Sequence, residues 1–130
     1  MFVAGRKFEY LKERILGYEE LMKLPVMCLE GNTSTRTYVE QFLASKQVTV
    51  RPEFELATSD MLIQFAVRNL GIASVVRNFA VEHLKTGDLF ELRFLEEIPA
   101  RTFCIVANER IPLSAAAATL MNVLVQGTSQ

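Results

Sequence analysis

Short apolar runs alternate with amphipathic segments along this chain, and the alternation predicts strands separated by helices. Val26–Leu29 and Ile72–Val76 are nearly continuous apolar runs, which are typical of strands covered on both faces. Apolar residues at spacings of three and four predict a helix from about Thr35 to Ser45. Cap residues at Thr58-Ser59-Asp60 predict a second helix, from Asp60 to Leu70. Strands that alternate with helices favour an α/β fold with mostly parallel pairing.

The remaining predicted elements are shorter or lie closer to the ends of the chain. They are strands at Phe2–Ala4, Val50–Leu56, Leu89–Phe94 and Thr102–Ala107, short helices at Tyr18–Lys23 and Asn78–Leu84, a surface loop after Gly5, and a final helix at Leu113–Val125. The final helix is apolar nearly all the way round, so it must be buried against something. We expect it to fold onto the sheet of this chain or to be buried in a homodimer, with exchange between chains as one route.

Length and charge narrow the class of protein. The chain has 130 residues, half of them apolar, which suits one globular domain. The formal net charge is −1 and no run of Lys or Arg occurs, so the chain lacks the basic surface that nucleic-acid binding requires. Cys28 and Cys104 both lie in apolar runs, where buried, reduced thiols are expected, and this favours a cytoplasmic protein. No apolar run is long enough to predict a membrane span.

Two strand–helix junctions are the candidate binding site. Beyond Leu29 and Glu30 the chain reads Gly31-Asn32-Thr33-Ser34-Thr35, and beyond Leu56 and Ala57 it reads Thr58-Ser59. The first N–H groups of a helix can hold a small anion, and Ser and Thr hydroxyls beside them can take part. In open sheets, ligands bind beyond the carboxyl ends of the strands. We therefore predict that both junctions line one crevice for an anionic ligand.

Simpler structural roles remain open for the same residues. Thr33, Ser34 and Thr35 can act as plain helix caps, and so can Thr58 and Ser59. Arg36 opposes the helix dipole, and it can pair either with a ligand carboxylate or with Glu30 or Glu40 on the surface. Gly71 is most simply a helix stop, with approach of its backbone to the ligand as a second role.

No residue pattern predicts catalysis or a cofactor. His83 is the only histidine, and it lacks a second His or a neighbouring Cys for a metal site. The chain contains none of the glycine-rich phosphate loops, zinc-type cysteine pairs or nucleophile-elbow motifs. We therefore predict a surface role for His83, no metal, no cofactor and no enzymatic activity.

The order of several short motifs resembles the effector-binding domain of LysR-type bacterial transcription regulators. The matching segments are Phe2-Val3-Ala4-Gly5, Tyr18-Glu19-Glu20-Leu21, Leu24-Pro25-Val26, Thr33 to Tyr38, Thr58-Ser59-Asp60-Met61-Leu62, Gly71-Ile72-Ala73-Ser74-Val75, Leu84 to Leu89, and Leu113-Ser114-Ala115-Ala116. One departure is Val76, where members of the family commonly carry a proline.

The resemblance implies a two-lobed, periplasmic-binding-protein-like domain of the second type, with a small-molecule effector between the lobes. This chain, residues 1–130, resembles the second lobe at about residues 5–104, with hinge-strand remnants at both ends and a C-terminal helix at 113–126. Its ligand-binding residues would be Asn32, Thr33, Ser34, Thr35, Thr58, Ser59 and Gly71.

Several further expectations follow from the resemblance. The chain would act as a homo-oligomer without membrane contact, would bind effector weakly or not at all by itself, and would reach DNA only through a helix-turn-helix domain that it lacks. Two alternatives remain open: a lobe of a periplasmic solute-binding protein, and a small flavodoxin-like enzyme.

Overall fold

The computed structural model describes residues 1–127, and these form two compact units. The first unit is Met1–Ile98, and the second begins at Pro99. The strands are β1 (Phe2–Ala4), β2 (Ile15–Leu16), β3 (Val26–Leu29), β4 (Phe54–Leu56), β5 (Ile72–Ser74), β6 (Phe90–Glu91) and β7 (Arg93–Phe94). The α-helices are α1 (Ser34–Ser45), α2 (Ser59–Val67), α3 (Arg77–Thr86) and α4 (Ala115–Gly127), and two 3₁₀ helices span Arg6–Leu11 and Tyr18–Lys23.

The main sheet of the first unit has five strands in the order β4-β3-β5-β1-β6. β3 is parallel to both of its neighbours, as predicted, whereas β1 is antiparallel to both β5 and β6. The chain reaches β3 from β1 through two 3₁₀ helices and β2 rather than through one crossover helix. Since such a path does not impose the parallel direction, the sheet is mixed, and the expected parallel pairing holds for its β4-β3-β5 part.

Apolar side chains cover both faces of this sheet. On one face, Val26 and Ile72 pack in a cluster with Val39 and Leu43 of α1. On the other face, Met27 and Ala73 pack with residues of α2, and Ala80 of α3 belongs to the same cluster. Successive strand residues alternate between the two clusters, as the two-residue period of a strand requires. Helix α1 therefore covers one face of the sheet, and α2 and α3 cover the other.

Two sequence predictions in the first unit are wrong in the kind or number of elements that form, and the predicted strand Val50–Leu56 is shorter, at Phe54–Leu56. The predicted surface loop after Gly5 is a 3₁₀ helix, because Phe8 and Leu11 turn inward and are buried. The predicted single strand Leu89–Phe94 is divided into β6, which joins the main sheet, and β7, which pairs with β2. Between them Leu92 is buried, and its N–H donates to the Phe2 carbonyl at 2.9 Å.

The second unit departs further from the sequence prediction. Residues 102–107 form no strand, and Cys104 is exposed rather than buried. A strand needs a neighbour for its N–H and C=O groups, and none of the described strands pairs with this segment. Helix α4 forms as predicted, but it contains no buried residue. Of the helices within residues 1–127, none is long and apolar enough to cross a membrane.

Candidate functional site

The candidate site lies at the edge of the sheet where β3 and β4 end. Leu29 and Leu56, the last residues of the two strands, lie opposite each other in parallel register. The Glu30 N–H donates to the Leu56 carbonyl at 3.1 Å, which extends the pairing into the turn. The turns that follow are therefore neighbours at one edge. These two turns contain six of the predicted residues: Asn32, Thr33, Ser34, Thr35, Thr58 and Ser59.

Thr33 is the N-cap of α1. Its hydroxyl oxygen accepts from the Arg36 N–H at 3.3 Å, and its O–H donates to the Glu30 carbonyl at 3.0 Å. A hydroxyl has a single proton to donate. The Thr33 proton is used inside the turn, so the helix-cap role that the sequence left open is present in the structure.

Thr58 has the corresponding position at α2. Its hydroxyl oxygen accepts from the Met61 N–H at 3.2 Å, and the backbone of Thr58 is extended, as an N-cap requires. Asp60 follows in the first turn of the helix, where a carboxylate suits the helix dipole. The same carboxylate would repel an anion near the start of α2.

Arg36 is buried and fixes the turn between β3 and α1. Its guanidinium donates to the Leu29 carbonyl at 2.8 Å and to the Glu40 carboxylate at 2.5 Å, and Glu55 lies 3.6 Å away. Burial by itself would lower the pKa of Arg36, but the hydrogen bond with Glu40 and the nearby negative groups outweigh it, so the pKa lies above its ordinary value. The sequence left open whether Arg36 pairs with a ligand carboxylate or with a carboxylate of the protein, and the structure contains the pairing with Glu40.

Gly71 is not brought together with the other predicted residues. It precedes β5, and Ile72 lies opposite Val26 in the parallel pairing with β3, so Gly71 is at the amino end of these strands. A Cβ at this position would lie 2.5 Å from the Pro25 carbonyl oxygen. Helix α2 ends earlier, at Val67, and Asn69 takes the positive φ of +62°. Gly71 therefore permits close strand packing and is not the stop of the helix.

Sequence reasoning predicted a strand at Ile72–Val76 but did not place the end of this strand at the candidate site. β5 is parallel to β3 and leads into α3 through Val75 and Val76. Ser74, the last residue of β5, is a buried polar residue, only 6% exposed. Its signal in the sequence was a lone hydroxyl within an apolar run. Val76 is the N-cap of α3, with φ −78° and ψ 135°, which a proline could adopt, so the departure from the family pattern leaves the turn intact.

A separate group of polar side chains lies at the C-terminal end of α3. His83 Nδ1 is 3.5 Å from Asp88 Oδ2, and the Thr86 hydroxyl donates to the same carboxylate at 2.7 Å, which lowers the pKa of Asp88. A depression of about 680 Å³ lies between the first 3₁₀ helix and the end of α3, lined by residues that include Arg6 and Glu91. Residues 1–127 contain no cluster of three metal-ligating side chains.

Comparison with known proteins identifies the family. The LysR substrate binding domain family matches residues 1–129, so the chain belongs to this family. The chain is 27% identical over 71 residues to the HTH-type transcriptional activator CmpR of Synechocystis sp. (strain ATCC 27184 / PCC 6803 / Kazusa), a match that covers 55% of this chain and 23% of CmpR. The family match favours the regulator interpretation over a solute-binding lobe or a flavodoxin-like enzyme.

Two solved structures have the same fold. The regulatory domain of CcmR from Synechocystis PCC6803, solved in complex with 2-PG, superposes with a TM-score of 0.76 at 17% identity and covers 99% of this chain. The regulatory domain of a HypT mutant from Salmonella typhimurium gives a TM-score of 0.60 at 17% identity and covers 95%. This chain spans 62% and 58% of those two chains. The predicted LysR-type, periplasmic-binding-protein-like α/β fold is confirmed.

Proposed function

We propose that this chain is the second lobe, at about residues 5–104, of an effector-binding domain, and that it provides one wall of a cleft for a small anionic metabolite. One observation carries the proposal. The turns after β3 and β4 lie side by side at the carboxyl edge of parallel strands, and each opens into a helix N-terminus. Backbone N–H groups and the partial positive charge of a helix N-terminus favour an anion, here most strongly at α1, whose first turn contains no acidic residue.

The sensing mechanism requires differential affinity. A ligand shifts a conformational balance only if it binds one arrangement of the lobes more tightly than the other. In the regulator, the closed cleft would supply that difference, and a homo-oligomer in the cytoplasm would pass it to DNA-binding domains outside this chain. The chain itself would provide recognition and no catalysis. The complex of the CcmR regulatory domain with 2-PG supports a small effector.

The test is a titration of the ¹⁵N-labelled chain, followed by two-dimensional NMR. The probes are sodium phosphate, small carboxylates and 2-PG, each at constant ionic strength against sodium chloride. With one wall of the cleft, we expect binding in the millimolar range, with amides at 33–36 and 58–61 shifting on one common curve. If no amide at the edge where β3, β4 and β5 end moves with any probe, the proposed function is wrong.

A matched pair of variants controls for folding. Ser34→Ala removes an exposed hydroxyl at the start of α1 and leaves the Thr33 cap in place, whereas Ser45→Ala removes an exposed hydroxyl at the end of the same helix. Since a hydrogen bond contributes about 0.5–1.5 kcal/mol, Ser34→Ala should weaken anion binding by about threefold or more. Ser45→Ala should leave it unchanged. Equal effects of the two variants on anion affinity would show that the Ser34 hydroxyl does not contact the anion.

A further inference from the structure

The structure contains a second crevice at the same edge, between β3 and β5. The connection after β3 runs through α1 toward β4, on one side of β3, and the connection after β5 runs through α3 toward β6, on the other side. α1 covers one face of the sheet and α3 the other. Adjacent strands whose connections leave in opposite directions form a topological switch point, where open α/β sheets bind ligands. β3 and β4 do not have this arrangement, because α1 itself joins them.

Ser74 lies at this switch point with an unused hydroxyl. The residue is 6% exposed, and its hydroxyl has no hydrogen-bond partner among the described residues. Every fully enclosed side-chain N or O atom in the described chain does have a partner. The Ser74 hydroxyl oxygen is therefore not fully enclosed. Because Ile72 belongs to the core cluster beneath α1 and Ala73 to the opposite one, the alternation places Ser74 on the α1 side.

The start of α3 is the second element of this crevice. Its N-cap is Val76, which makes no side-chain capping hydrogen bond, in contrast to the Thr caps of α1 and α2. Arg77, the first helical residue, is paired through both carboxylate oxygens of Glu91, at 2.8 and 2.9 Å. No acidic residue lies in the first turn of α3, whereas α2 has Asp60 there. The N–H groups at the start of α3 are thus less opposed by negative charge than those of α2.

We infer that the carboxylate or phosphate group of the ligand is held at the β3–β5 crevice, where the Ser74 hydroxyl donates to it beside the uncapped start of α3. This inference rests on the proposed function and moves the main anion contact away from the Thr58 turn. The Thr33 turn then borders the ligand from the α1 side. The Ser74 hydroxyl would then donate its proton to the anionic group, since no described residue accepts it.

The experiment uses the same ¹⁵N-labelled chain with sodium phosphate and, separately, sodium acetate as probes. We expect the amides of Ser74, Arg77 and Asn78 to move most, on one binding curve. Ser74→Ala should weaken phosphate binding at least threefold, and Ser74→Thr, which keeps a hydroxyl, should restore most of it. Ser45→Ala, which removes an exposed hydroxyl at the far end of α1, should change the affinity less than twofold.

The outcomes separate the two proposals. If amides at 33–36 and 58–61 move while those at 74–78 stay still, the Ser74 inference is overturned and the proposed function stands. If no amide moves, both are overturned. If Ser74→Ala fails to fold, the shift map of the unsubstituted chain still decides, because it identifies the helix start that faces the anion. A response to phosphate but not acetate assigns the crevice to phosphate esters, and a response to both leaves the wider class of small anions.

Discussion

Both units of this chain contain apolar segments, but the first unit buries its apolar side chains and the second leaves them exposed. In the first unit, residues such as Leu62 and Ile72 have 0% exposure, and the sheet is covered on both faces. In the second unit, Phe103 and Val106 are 83% and 91% exposed, and α4 has no buried residue. An apolar segment therefore indicates that its side chains need to be buried, but it does not provide the surface that covers them. That surface must come from other parts of a fold or from another chain.

The final helix, which the sequence predicts to be buried, contains no buried residue among those described. Leu120 is 60% exposed, and Leu113 and Leu124 are also exposed. Burial of α4 in a homodimer stays a prediction. A patch of exposed apolar side chains on a helix is more typical of an interaction surface than of a solvated one.

The largest expected contrast is between two leucine truncations. Leu62→Ala, in α2, removes a side chain with 0% exposure, and Leu120→Ala removes one with 60% exposure in α4. The first should lower the free energy of unfolding by about 2–5 kcal/mol, because it leaves a cavity. The second should change it by no more than about 0.5 kcal/mol, as for most surface positions. Urea unfolding followed by circular dichroism gives both values.

Repeating the unfolding measurement at several protein concentrations tests whether α4 of the second unit is buried between two chains. If α4 is buried between two chains, Leu120→Ala will be costly at high concentration and neutral on dilution, because dimer stability depends on concentration. A cost for Leu120→Ala that matches Leu62→Ala at every concentration would contradict the exposed position of α4. Analytical ultracentrifugation over the same concentrations gives the oligomeric state directly.

A glycine in each unit gives the next contrast. Gly71→Ala would place a Cβ 2.5 Å from the Pro25 carbonyl oxygen and 2.9 Å from Met27 Cγ, whereas a Cβ at Gly127 meets nothing within 4 Å. The backbone atom cannot move aside easily, so Gly71→Ala should lower the stability by about 1–3 kcal/mol. Gly127→Ala, in α4, should not lower it, since Ala is the better helix former. Equal thermal midpoints for both variants would show that β3 and β5 tolerate a wider separation.

Much of the first unit could be predicted from local sequence. The apolar run Val26–Leu29 and the Thr caps at Thr33 and Thr58 set β3 and the starts of α1 and α2 within a residue, because caps and buried strands are encoded by neighbouring residues. The direction of β1 and the division of Leu89–Phe94 were not predictable in the same way. They depend on contacts with residues far along the chain, such as the pairing of Leu92 with Phe2.

The position of the candidate site could be predicted from the sequence, but not all of its residues could. Ser and Thr after two apolar strands indicated the edge at which β3 and β4 end, and parallel pairing brings those turns together. The hydroxyls that drew attention in the sequence, those of Thr33 and Thr58, are engaged as caps. Ser74 attracted no attention, because its importance comes from strand order. Strand order decides which turns flank a switch point, and no local sequence pattern predicts strand order.

The smallest expected effect compares the two cysteines. Burial raises the pKa of the Cys28 thiol to about 11, and the nearby positive charge of Arg36 only partly offsets it, whereas Cys104 is exposed. The folded chain holds the Cys28 proton more tightly than the unfolded chain, whose thiol titrates near 9.0. Stability from this group is therefore complete below pH 9 and is lost as the pH rises toward 11, by about 1 kcal/mol between pH 9 and pH 10. Other groups titrate in the same range, so the informative quantity is the difference between variants in urea unfolding at the two pH values. Cys28→Ala should remove this part of the change in unfolding free energy between pH 9 and pH 10, and Cys104→Ala should retain it. If the change is lost in Cys104→Ala instead, Cys104 rather than Cys28 is the buried thiol.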